Sequence, residues 1–154
     1  LRYLVTFFIC LASCQTAIDK SEIEKEIIEI TKTYNSVWET IDMDSVATYH
    51  SNDFKYYWHG NLTAESNEVF VKEYKRIMST TKEWSMEVDD LDVQVLDENT
   101  AIVGFTSTSS HLITKDNQEF NYGIGAFTYV WNKKNGIWKL VHIHESALEE
   151  DDIE

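Results

Sequence analysis

No proline occurs anywhere in the 154 residues, and glycine is held to five. A chain with no proline, no repeat and no low-complexity stretch offers no linker between two domains, and its length fits one domain with a sizeable core. Cysteine is as scarce: Cys10 and Cys14 are the only two, and both fall at the N-terminal end. The remainder can be stapled by no disulfide and can carry no thiol catalysis. Positive charge is also in short supply, with 13 Lys and Arg against 27 Asp and Glu and a formal net charge of −14. No basic stripe exists to meet phosphates, so nucleic acid is excluded as a partner, and the acidity reads as a solvated surface. There is no phosphate-binding Gly-rich loop and no Gly-x-Ser-x-Gly nucleophile elbow. Long hydrophobic runs are missing as well. The apolar run near the N-terminus covers roughly 10 residues, against the ~20 a helix needs to span a bilayer.

What the chain has is aromatic bulk. Five Trp, eight Tyr and seven Phe stand within a 43% hydrophobic composition, enough to fill a packed interior. At the start, one positive charge, the short apolar run and then small residues read as the core of a signal peptide. Its end, Leu11-Ala12-Ser13-Cys14, resembles the bacterial lipoprotein box. That resemblance implies cleavage before Cys14, whose thiol would carry lipid, and loss of Cys10 with the signal; an ordinary secretory signal is the alternative. The expected organisation is a signal peptide over 1–13, a short tether over 14–18, a folded domain over 19–148 and an acidic tail over 149–154. The expected location is the bacterial cell envelope, with a membrane-anchored domain facing the periplasm or the exterior.

From Asp19 the pattern is helical. Ile23, Ile27, Ile30, Tyr34, Val37 and Ile41 recur at spacings of four and three, one face of a long helix, with Ser21 and Glu24 as a capping box. Asp42-Met43-Asp44 caps a second, short helix over Ser45 to His50. Phe54 to His59 alternates as a strand, with Phe54, Tyr56 and Trp58 on one face. Gly60-Asn61 breaks it, and Thr63 or Ser66 caps a third helix running to about Thr80. Four long strands follow. The first covers Trp84 to Val95, with a slip at Asp89-Asp90 that fits a bulge; Thr100 to Ile113, Gln118 to Trp131 and Gly136 to Ser146 complete the set. Three helices followed by a meander predict an α+β fold in which a strongly bent antiparallel sheet wraps the first helix. Gly104, Gly123 and Gly125 fit bends in such a sheet.

The last strand carries the most chemistry. Strict alternation puts Trp138, Leu140, His142 and His144 on one side and Ile137, Lys139, Val141 and Ile143 on the other. Two imidazoles on one strand face can ligate a metal, but a third ligand is needed and neither His59 nor His111 is placed beside them by sequence, so no metal site is assigned. His50 reads as a polar helix terminus. Ser107, Ser109 and Ser110 near His111 read as small strand residues.

Gly136-Ile137-Trp138-Lys139-Leu140-Val141-His142-Ile143-His144-Glu145-Ser146 resembles the closing motif of the association domain of calcium/calmodulin-dependent kinase. Phe127-Thr128-Tyr129-Val130-Trp131 resembles the strand before it. Over about Ile18 to Leu148 the chain resembles the nuclear-transport-factor-2-like superfamily, which also holds SnoaL-like cyclases and ketosteroid isomerases. The resemblance implies a cone-shaped α+β barrel with a cavity between the helices and the concave sheet face, and a homodimer formed sheet to sheet. It implies that Tyr56, Trp58, Tyr122, Trp138, His142 and His144 line that cavity. The Asp base and oxyanion set of the isomerases is not matched, because Asp89, Asp90 and Asp92 fall at a turn or sheet edge. Three functions remain open on these residues: a lipid-anchored domain binding a small apolar molecule, an isomerase, dehydratase or cyclase with a pocket histidine as base, and a dimeric assembly module without ligand. No cofactor is expected.

Overall fold

Asp19 starts the first helix by accepting the backbone N–H groups of Ser21 and Glu22 on its carboxylate, so α1 runs Lys20–Trp38. The aspartate thus takes the capping role that the sequence assigned to Ser21 and Glu24. The computed structural model describes residues 19–147; the expected signal peptide, Cys14, the tether and the acidic tail lie outside the described residues. Ile27, Thr31 and Tyr34 form the buried stripe of α1, and Ile23, Ile30, Val37 and Trp38 flank it. Asp42 caps the short α2, Met43–Ala47, and Ser66 caps α3, Asn67–Met78. Among the described residues no helix is long and apolar enough to cross a membrane.

Among the described residues seven strands make one sheet: β1 (His50–Trp58), β2 (Asn61–Ala64), β3 (Thr81–Asp97), β4 (Thr100–Thr114), β5 (Glu119–Asn121), β6 (Gly125–Lys134) and β7 (Ile137–Ala147). Their order is β2-β1-β7-β6-β4-β3, with β5 added to β4. Every pairing is antiparallel except β1 with β7. The α+β architecture expected from sequence is therefore present: helices packed on a curved, mostly antiparallel sheet that does not close. Its concave side holds α1 through two bonds across the core. The buried indole N–H of Trp131 donates to Thr31 Oγ1 at 3.1 Å, and Tyr129 Oη donates to Asn35 Oδ1 at 3.2 Å.

Three local differences from the sequence reading shape the site. Gly60 does end β1, but His59 and Gly60 take positive φ angles of 48° and 77°. They make a tight turn into β2, so two strands and not one separate α2 from α3. The expected strand from Gln118 to Trp131 is broken at 122–124, where Gly123 takes a φ of 52°, a left-handed conformation that glycine adopts without strain. The third difference is in β7. Val130 pairs with His142, but the next pair is Trp131 with Leu140, so β7 carries one extra residue, Val141. This β-bulge reverses the alternation. Trp138 and Leu140 point into the core, and after the bulge it is Ile143, 3% exposed, that points inward again. Strict alternation would have exposed Ile143 and driven two imidazoles inside. Burying an isoleucine is worth about 1.5–3 kcal/mol, and unpaired buried polar groups cost a similar amount each. By contrast, the slip anticipated at Asp89-Asp90 is a bulge, with register shifts on both sides of Asp89.

Candidate functional site

Between α3, the end of α1 and the concave side of the sheet lies a cavity of about 420 Å³. Its wall is aromatic. α1 contributes Tyr34 and Trp38, α3 contributes Phe70 and Tyr74, and the sheet contributes Tyr56, Trp58, Trp84, Phe127 and Tyr129, with Tyr122 from the break between β5 and β6. The helix and strand periods explain the convergence. Phe70 and Tyr74 are four residues apart on α3 and stack at 4.3 Å. Tyr56 and Trp58 are two apart on β1, on the same face. Tyr56 meets Phe70 edge to face at 5.3 Å.

The cavity wall also carries a carboxyl, Glu145 of β7, which the bulge at Val141 turns inward. Tyr56 Oη donates to Glu145 Oε2 at 2.7 Å, and Tyr74 Oη donates to Tyr56 Oη at 3.0 Å. Burial pushes the Glu145 carboxyl up to about 7, against the pull of the Tyr56 hydrogen bond. A carboxyl with that value exchanges a proton near neutral pH. Burial also raises the phenols of Tyr34, Tyr56, Tyr74 and Tyr129, so these four stay neutral donors. At the rim, Arg76 Nε donates to Glu73 Oε2 at 3.2 Å, an exposed pair.

A second polar chain runs beneath the wall. Tyr34 Oη and His50 Nε2 are 2.9 Å apart, and His50 Nδ1 lies 2.9 Å from Asn67 Oδ1. The Asn67 amide is oriented by donating to the Ala47 carbonyl at 3.2 Å. Nδ1 therefore carries the proton given to Asn67, and Nε2 accepts from Tyr34. The ring is stacked on Phe54 at 4.0 Å, and desolvation lowers its pKa to about 4. His50 is a neutral structural link at the start of β1, not a helix end.

Of the residues singled out from sequence, Tyr56, Trp58 and Tyr122 meet in the cavity wall. Trp138, His142 and His144 do not. Trp138 is buried below Lys133, whose Nζ lies 5.1 Å from the ring. His142 and His144 sit on the opposite face of the sheet, where Tyr57 lies 5.2 Å from the His142 ring; the bulge is the reason. No group of three metal-ligating side chains gathers among the described residues. The sequence reading missed Glu145 and Tyr74. Helical periodicity marks Tyr74, since it follows Phe70 by four residues on α3 and so shares its face. Glu145 had one signal, the apolar Ile143 two residues before it, which strict alternation would have left in solvent.

The sequence model of the SnoaL-like domain family matches residues 27–150. No curated protein matches the chain. Solved structures do. A protein of Novosphingobium aromaticivorans, named provisionally as a scytalone dehydratase, superposes with a TM-score of 0.76 at 14% identity, over 85% of this chain and 88% of that one. A nuclear transport factor 2-like superfamily protein of Salmonella enterica gives a TM-score of 0.73 at 19% identity, over 87% and 96%. A Xanthomonas campestris protein, named provisionally as a calcium/calmodulin-dependent protein kinase II association domain, gives 0.67 at 20% identity, over 81% and 87%.

Proposed function

Since the chain belongs to the SnoaL-like domain family, within the nuclear-transport-factor-2-like superfamily, we propose that it is a binding domain whose cavity takes up a small, largely apolar molecule. The observation that carries this reading is the cavity itself: about 420 Å³, walled by ten aromatic residues, with the Tyr74, Tyr56 and Glu145 side chains of its wall joined by hydrogen bonds. Ligand sites combine such an apolar wall with a few convergent polar groups. A pure assembly module would fill that space with side chains. Native mass spectrometry of the chain purified from its own host tests the reading. A co-purifying small molecule, lost on Tyr74→Ala, is the expected result; an empty protein whose melting no apolar compound shifts refutes it.

A second reading is supported by Glu145. A carboxyl held near neutral pH beside two phenols is equipped for proton transfer, the chemistry of an isomerase or dehydratase, and two solved neighbours bear provisional dehydratase names. In this reading Glu145 takes the role of base that the sequence assigned to a histidine. Steady turnover lost on Glu145→Gln, with binding retained, would favour it.

The proposal includes the cell-envelope location. Leu11-Ala12-Ser13-Cys14 supports lipidation of Cys14, and two signals together give stable anchoring where one acyl chain is marginal. A Cys14→Ser protein that stays acylated in the membrane fraction would refute it. Homodimerisation through the outer sheet face is supported by Tyr57, Val130, Val141 and His142, which are only partly covered there. Sedimentation as a monomer at micromolar concentration would remove this part.

A further inference from the structure

Resting on the binding reading, we infer that the occupant of the cavity is a small apolar amine, its ammonium held by Glu145 and enclosed by the surrounding aromatic faces. The charge inventory of the wall is lopsided. Glu73 and Glu145 are its acids, and Arg76 is the one cationic side chain lining it among the described residues. Arg76 is engaged with Glu73 at the rim. Among the described residues Glu145 is left without a counter-ion. Its Oε2 accepts the hydrogen bond of the Tyr56 hydroxyl, and Oε1 has no hydrogen-bond partner among the described residues, which leaves one oxygen of a cavity-lining carboxylate free to accept from an occupant.

An enclosed carboxylate without a cation is costly, and the molecule shows that cost as a carboxyl that holds its proton up to about 7. Three kinds of occupant answer it differently. An acid adds a second negative charge and is rejected. A neutral molecule leaves the carboxyl as it stands. A cation supplies the missing charge and is the occupant for which this wall gains most. The wall is suited to it in a second way. Trp38, Trp58 and Trp84, three of the five tryptophans in the chain, face the cavity with Tyr56, Tyr74 and Phe127. Aromatic faces attract ammonium groups, tryptophan most strongly, and do so best where water is excluded. The net charge of −14 adds a long-range field that concentrates cations and repels anions.

The titratable groups facing Glu145 do not compete for this role. Tyr56 from β1, Tyr74 from α3, Tyr34 from α1 and Tyr129 from β6 are phenols raised by burial. Tyr122 faces the cavity from the β5–β6 break, and Glu73 and Arg76 pair at its rim. His144, next in sequence, points to the other side of the sheet.

Calorimetric titration of the full chain with naphthylethylamine, naphthylethanol and naphthylacetate tests the inference, because the three share shape and differ in charge. At about pH 8 the amine should bind at least about tenfold tighter than the alcohol, and the acetate should not bind. The advantage of the amine should shrink as pH falls through about 7, where Glu145 takes up its proton. In Glu145→Gln the amine and the alcohol should bind within about threefold of each other, and binding of the alcohol shows that the variant is folded. Equal binding of amine and alcohol to the native protein across the pH series overturns the amine and leaves the apolar cavity standing. Preference for the acetate does the same. Binding of none of the three overturns both readings.

Discussion

Replacing Glu145 with glutamine should change how stability depends on pH, and the change can be worked out from two buried groups. Glu145 is raised from an ordinary 4.5 to about 7 in the folded protein. Its contribution is fully present below the unfolded value and is lost as pH rises through about 7. At about 1.4 kcal/mol per pH unit the loss comes to about 3 kcal/mol. His50 does the reverse. It falls from 6.5 to about 4 on burial, so its contribution is present above the unfolded value and is lost as pH drops through about 4, again by about 3 kcal/mol. The two windows overlap. Between them the folded state holds a proton on Glu145 that the unfolded chain has released and lacks one on His50 that the unfolded chain has bound, so their slopes cancel. Glutamine is a neutral stand-in for the protonated carboxyl and can still accept from Tyr56. Glu145→Gln should therefore unmask His50: relative to wild type its stability should climb by about 3 kcal/mol from pH 4.5 to 7.5. His50→Gln should show the opposite tilt, and the double variant should regain the flat profile. Urea unfolding across this range reads the difference directly, and the surface carboxylates cancel because all the proteins share them. If Glu145→Gln and wild type run parallel, Glu145 ionises as a solvated side chain does and the enclosure described for it is wrong.

Tyr56→Phe removes the hydroxyl that donates to Glu145 Oε2 and lowers its pKa, so an NMR titration of the Glu145 side chain should move above about 7; no movement would mean the bond is not formed. His142→Ala and His144→Ala lie across the sheet from the cavity and should leave naphthylethylamine affinity within about twofold of wild type, whereas a large loss would place the imidazoles inside. Gly125→Ala should lower stability by about 1–3 kcal/mol. A Cβ there would meet the Phe127 ring at 2.8 Å, and that ring cannot swing freely because it stacks on Phe105 at 4.7 Å. Thermal unfolding unchanged by the alanine would show that the ring pair has room to move.

Much of the fold was legible because it rests on periodicities that survive local detail. The α1 stripe of Ile27 and Tyr34, the alternation of Phe54, Tyr56 and Trp58, and the turn at Asn135-Gly136, where φ is 53° and 78°, each follow from short-range rules. The cavity wall was half legible for the same reason: Tyr56 and Trp58 follow from alternation within β1. The Glu145 carboxyl was not. Its position depends on an extra residue in β7 whose cause lies in the partner strands and in the competition between Ile143 and two histidines for the interior. Nothing within Gly136 to Ser146 marks Val141 as that residue. The break at 122–124 was hidden in the same way, since Gly123 fits a bend as well as an end.

The bulge at Val141 also bears on how this chain should be compared with its distant relatives. A column-by-column match of closing strands assumes that equal positions share a face. One insertion point moved along the strand breaks that assumption without altering a single letter: shifted beyond Ser146, it would present His142 and His144 to the ligand and send Glu145 into solvent. Two descendants of one ancestor can thus exchange an acidic pocket for a basic one through a slip in strand register alone. Their functional residues can be matched only in space.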